Sequence, residues 1–111
     1  MNVVTENFEK EMIAWRHDFH AHPELNFELD ITSAKVAEIL KSFGLEVFEG
    51  IGKKGIVAVL KNGNSNKSIG IRADMDALPV KEESDCAYKS THEGKMHACG
   101  HDGHTLSLIH I

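Results

Sequence analysis

The chain has no surplus of basic residues: Lys and Arg number 12 against 17 Asp and Glu, a formal net charge of −5. Without a basic patch, nucleic acid is not an expected partner. Long apolar runs are also missing. The longest, Ile56–Leu60, falls far short of the roughly 20 residues a membrane helix needs. Met1–Glu6 show neither a basic start nor an apolar run, so no signal peptide is expected. Cysteine is scarce. Cys86 and Cys99 could pair in principle, but one disulfide is a weak sign of export, and a cytoplasmic setting would keep Cys99 reduced. There is no internal repeat, low-complexity segment or linker, and 111 residues allow one domain at most.

What the chain does have is concentrated near residue 100. His97-Ala98-Cys99-Gly100-His101-Asp102-Gly103-His104 packs one thiol, one carboxylate and three imidazoles into eight residues. Cys99 and His101 stand two apart, so in an extended segment both side chains point the same way. Thiolate with imidazole suits zinc, nickel, cobalt or manganese better than calcium or magnesium. Gly100 and Gly103 leave the backbone free to turn close to a metal or substrate. Asp102 can either fix the tautomer of a ligating imidazole or cap a helix starting near Gly103. His97 and His104 are open to a role behind the ligands, contact with substrate, or plain packing.

A second cluster, Ser68 to Pro79, reads as a short, apolar, β-branched strand running into Asp74 and Asp76. Open α/β sheets place ligands at the carboxyl ends of strands. Arg72, inside the apolar stretch, is expected to pair with Asp74, Asp76 or Glu24, because an isolated buried charge is costly.

Between these motifs the periodicity is helical, then extended. Phe8, Met12, Trp15 and Phe19 form one helix stripe, which Pro23 stops near His22. A second helix is expected from about Thr32 to Phe43, with Val36, Ile39, Leu40 and Phe43 facing the core. Asp30 or Thr32 could cap its start, and Gly44 suits its left-handed exit. Strands are expected at about 45–48, 55–60 and 68–73, the last two joined by a hairpin turn over Asn62–Lys67. Residues 81–95 show no period and read as a surface loop, with Cys86 incidental within it. The order fits an α/β sandwich.

Three segments together carry a family likeness: Trp15-Arg16-His17-Asp18-Phe19-His20-Ala21-His22-Pro23-Glu24-Leu25, Gly70-Ile71-Arg72-Ala73-Asp74-Met75-Asp76-Ala77-Leu78-Pro79, and Met96-His97-Ala98-Cys99-Gly100-His101-Asp102-Gly103-His104-Thr105. In that order they resemble the N-terminal part of the metal-dependent amidohydrolases and peptidases that include hippurate hydrolases, indole-acetyl-amino-acid hydrolases and N-acetyl-amino-acid deacetylases. The resemblance implies that Cys99 and His101 are metal ligands and that Asp76 is the catalytic-site aspartate. Asp74 stands where many relatives carry a metal-binding histidine, so it is not assigned as a ligand.

The resemblance also implies an α/β fold: a mixed-sheet catalytic domain with flanking helices, whose inserted lid and dimerisation domain lies beyond this chain. It implies two divalent metal ions (zinc, manganese, nickel or cobalt), a small N-acyl amino acid substrate, and a homo-oligomer at full length. The adjacent glutamates, one the general base and one a ligand, and two further histidines would lie downstream, so the fragment alone is expected to be inactive. The alternative is a small non-catalytic zinc-binding or regulatory module.

Residues 1–105 are thus expected to be the N-terminal portion of the catalytic domain. Residues 106–111 translate CTG TCT CTT ATA CAC ATC, a string that looks like a transposase adapter used in DNA library preparation. They are expected to be a non-native tail, against the rival of a natural apolar helix start.

Overall fold

The computed structural model describes residues 5–111. Three helices and one hairpin follow in the order α1 (Glu6–Ala21), α2 (Asp30–Ser42), β1 (Glu46–Ile51), β2 (Gly55–Val59) and α3 (His101–His110). This is a small α/β arrangement.

The first helix begins where Thr5 turns its hydroxyl onto the Phe8 amide at 3.3 Å, satisfying one of the donors that a helix start leaves free. Glu6 and Glu9 in the first turn suit the positive end of its dipole. The expected stripe faces inward and Phe19 reaches the core. Phe8, Trp15 and Phe43 meet edge to face, with ring centroids 5.9 to 6.3 Å apart.

The start of α2 differs from expectation. Neither Asp30 nor Thr32 caps it. The carboxylate of Glu24 reaches in from the preceding loop and accepts from the Ile31 and Thr32 amides at 3.1 and 2.6 Å, and from the Thr32 hydroxyl at 2.7 Å. A carboxylate at a helix N-terminus satisfies the free amides and opposes the dipole. At the other end Gly44 takes the left-handed conformation, φ +78°, as the periodicity predicts.

The two strands pair antiparallel, from Glu46 opposite Val59 to Ile51 opposite Gly55, with a bulge between Glu49 and Ile51. Their turn is formed by residues 52–54. The hairpin expected over Asn62–Lys67 is therefore absent, because residues 68–73 form no strand. A strand exists only when a neighbour completes its ladder, and among the described residues none pairs with this segment. Ile69 is accordingly 91% exposed. Pairing begins only after the carboxylates, through single bridges of Ala77 with Leu25 and of Leu78 with Met96.

Phe19, Val36, Ile39 and Ile109 form the core cluster, with Trp15, Leu40, Ile56 and Met75 packed around it. Residues 81–95 form an irregular loop, fastened to the end of α1 by Thr91, whose amide and hydroxyl both donate to the Ala21 carbonyl. No helix among the described residues is long and apolar enough to cross a membrane.

Candidate metal centre

The two motifs meet at the start of α3. Gly100, at φ +83°, turns the chain so that His101 is the first residue of the helix. A residue with a side chain would be strained there. His101 donates its Nδ1 proton to the Asp76 carbonyl oxygen at 2.8 Å and lies 3.1 Å from the Asp76 carboxylate. That bond fixes the tautomer and leaves the Nε2 lone pair available to a metal, the usual arrangement behind a ligating histidine. One turn on, the Thr105 hydroxyl donates to the Asp74 carbonyl at 3.0 Å. The 74–76 segment is thus stitched to the helix at two points.

Cys99 lies just ahead of this turn with an exposed, unpaired thiol. A sulfur and an imidazole nitrogen held two residues apart are a donor set suited to a borderline transition ion. The described residues do not gather a third donor beside this pair. A divalent ion there would need ligands from beyond this chain.

The Asp74 carboxylate pairs with Arg72 at 2.7 Å on the surface, and the hydrogen bond from Arg72 holds it below the ordinary carboxylate range. Arg72 therefore pairs with Asp74 as anticipated, but on an exposed segment rather than inside a buried strand. His104 is exposed, its ring 6.0 Å from that of His101. His97 is buried, and neither ring nitrogen has a hydrogen-bond partner. Burial holds its imidazole below the usual histidine range, against the pull of Asp102, so it is neutral.

Asp102 does not cap the helix, since it lies within the first turn and is fully buried. It accepts from His20 Nδ1 at 2.7 Å and from the Gly103 amide at 2.8 Å, and pairs with Arg16 at 3.2 Å. On the other side of the His20 ring, Nε2 meets the buried Glu82 carboxylate, whose second oxygen accepts from the Ser90 amide at 2.9 Å. Cys86, from the loop, completes a group with His20 and Glu82 whose ligand atoms lie within 4.8 Å of one another. Both nitrogens of His20 are already committed to carboxylates, so this group is a hydrogen-bonded cluster with no lone pair for an ion. The sequence pointed to His20 only as a member of a motif. Its partners lie 62 and 82 residues along the chain, too far for spacing to show.

Comparisons with known proteins find relatives in both sequence and fold. Residues 70–111 match the model of Peptidase family M20/M25/M40. The chain is 54% identical to a hippurate hydrolase of Campylobacter jejuni, an alignment covering 98% of this chain and 29% of that enzyme. It is 42% identical to an N-acyl-L-amino acid amidohydrolase of Geobacillus stearothermophilus, over 96% of this chain and 29% of the relative. A crystal structure from Bacillus subtilis, a dinuclear metal binding peptidase of the M20 family, superposes with a TM-score of 0.90 at 38% identity, covering 96% of this chain and 30% of that one. The chain therefore spans less than a third of the length of these relatives. Residues 70–111 thus match Peptidase family M20/M25/M40, and nearly all of this chain shares its sequence and fold with these relatives.

Proposed function

We propose that these residues form the amino-terminal part of the metal cradle of an enzyme that hydrolyses the amide of N-acyl amino acids, of the hippurate, N-acetyl or indole-acetyl kind. One observation carries the reading. His101 is held by Nδ1 on the Asp76 carbonyl, which leaves Nε2 as a donor two residues from the Cys99 thiol. Cys99 and His101 would hold a divalent ion (zinc, manganese, nickel or cobalt), and the likeness to a dinuclear relative supports a pair of ions. Bound there, the ions would supply Lewis-acid polarisation of the scissile carbonyl.

The chain's own residues supply orientation. Asp76 holds the proton on His101 Nδ1, and Gly100 brings the backbone round. The general base and the remaining ligands belong to residues beyond this chain, so these residues alone do not turn over substrate. The names of the relatives support a small N-acyl amino acid as substrate, and the family likeness a homo-oligomer. Unpaired Cys86 and Cys99 suit a reducing compartment, the cytoplasm. Residues 106–111 are proposed to be adapter-derived on the nucleotide match, although Leu106 and Ile109 pack inward as part of α3. Sequencing the locus from source DNA decides between a tail and a native helix.

The test uses the full-length enzyme that carries these residues. Cys99→Ser and His101→Asn are expected to lose bound metal and, with it, hydrolysis of acetyl, benzoyl and indole-acetyl amino acids. Asp76→Ala keeps the main-chain acceptor and removes only the carboxylate 3.1 Å from Nδ1. It is expected to weaken metal binding by about tenfold at most, the low end for loss of a group orienting a ligand. Full metal content in the Cys99→Ser, His101→Asn double variant, measured by elemental analysis, would end the proposal.

A further inference from the structure

Buried behind the candidate centre is a group that the proposed reaction does not use. His20, 4% exposed, sits at the end of α1 between two carboxylates whose side chains are each 1% exposed. Asp102 faces its Nδ1 and Glu82 its Nε2. For both acids burial is the largest influence and pushes the carboxyl up, yet hydrogen bonds and neighbouring cations leave it below its ordinary range. Ser90 leads for Glu82, and His20 for Asp102. Each nitrogen of His20 faces one buried carboxylate oxygen, and each contact is a hydrogen bond. Arg16 reaches Asp102 from the same helix, and its guanidinium and the His20 ring both lie against Tyr88.

Asp102 is the residue after His101, and its side chain is the anchor of the first turn of α3. Three donors from three directions hold it: His20 Nδ1 from α1, Arg16 from the same helix one turn earlier, and the Gly103 amide. The cluster thus bolts the ligand-bearing turn to α1 and, through Glu82, to the 81–95 loop. Without the His20 ring both buried carboxylates would lose a hydrogen-bond partner, at a cost that structures avoid.

We propose that His20 is a positioning residue for the candidate metal centre: hydrogen-bonded between Glu82 and Asp102, it fixes the first turn of α3 and so aims Cys99 and His101 at one ion. The inference rests on the metal-centre reading above. His20 is sealed from solvent, so its role passes through Asp102 and not through substrate.

The test is made in the full-length enzyme carrying these residues, stripped of metal and titrated with cobalt(II). The thiolate-to-cobalt absorption band that disappears in Cys99→Ser marks the centre. His20→Gln is expected to weaken cobalt binding about tenfold or more, with its circular dichroism unchanged. A purely structural histidine would lower Tm and leave the affinity of the folded protein alone. Should His20→Gln fail to fold, the pair His20→Gln, Glu82→Gln removes one of the opposed charges and is expected to show the same loss. Parent-like cobalt affinity in either folded variant overturns the inference while leaving the metal centre standing. Absence of any Cys99-dependent band in the parent overturns the metal centre itself, and the inference with it.

Discussion

Glu24 does for α2 what a serine or aspartate immediately before a helix ordinarily does, but from six residues upstream of Asp30. Its two oxygens satisfy two amides and a hydroxyl in a largely buried pocket. Glu24→Ala is expected to cost about 2 kcal/mol, read as a lower denaturation midpoint in the full-length enzyme. Glu82 makes a prediction with a sign. Its carboxyl is held below the ordinary range in the folded protein, so in the unfolded chain it takes up a proton at higher pH. The stability it contributes is whole above the ordinary glutamate range and is lost as pH falls through the depressed value. The advantage of the parent over Glu82→Gln should therefore persist at neutral pH and fade only on strong acidification. An advantage that fades as pH rises would contradict this.

The first turn of α3 and the end of α2 offer a controlled comparison between elements. Gly100 and Gly44 both have φ near +80°, at +83° and +78°. A methyl group at Gly44 meets nothing within 4 Å, and one at Gly100 only the His104 ring, at 3.9 Å. Either alanine variant should cost about 1–2 kcal/mol from backbone strain alone. Only Gly100→Ala should also weaken metal binding, because it re-aims the turn that carries His101. Equal metal affinity in the two variants would separate the turn from the site. The first helix ends beside its expected stop and the second lies within two residues of its expected bounds, because their burial repeats with the helical period. The 68–73 segment did not become a strand, although its composition is that of one. Its apolar residues describe what it would bury, while its ladder depends on a neighbour elsewhere in the chain.

At the scale of the whole molecule, the core is small and one side stays open. The hairpin, the 68–76 segment and the end of α3 border a wide trough. Ile51, Val57, Leu60, Ile69 and Ile71 stand exposed, and the two-stranded sheet leaves strand edges unpaired. Apolar surface beside an open edge invites association between chains. These 111 residues expressed alone are expected to aggregate and to unfold without a cooperative transition. Monomeric sedimentation with a sharp thermal transition would refute that. The relatives' length, more than three times this chain's, is consistent with further residues being needed to cover that face.

Local order was enough to reveal the helices and to single out Cys99, His101 and Asp102 as candidates, because these features repeat with a period or lie within a few residues of one another. Only tertiary structure could show that Asp76 holds His101 by its main-chain oxygen, since the two are 25 residues apart. The same is true of the clamp, where His20 meets partners 62 and 82 positions away. Nothing in spacing brings such groups together. Packing does, because a buried carboxylate or imidazole is tolerated only where the fold brings it a partner.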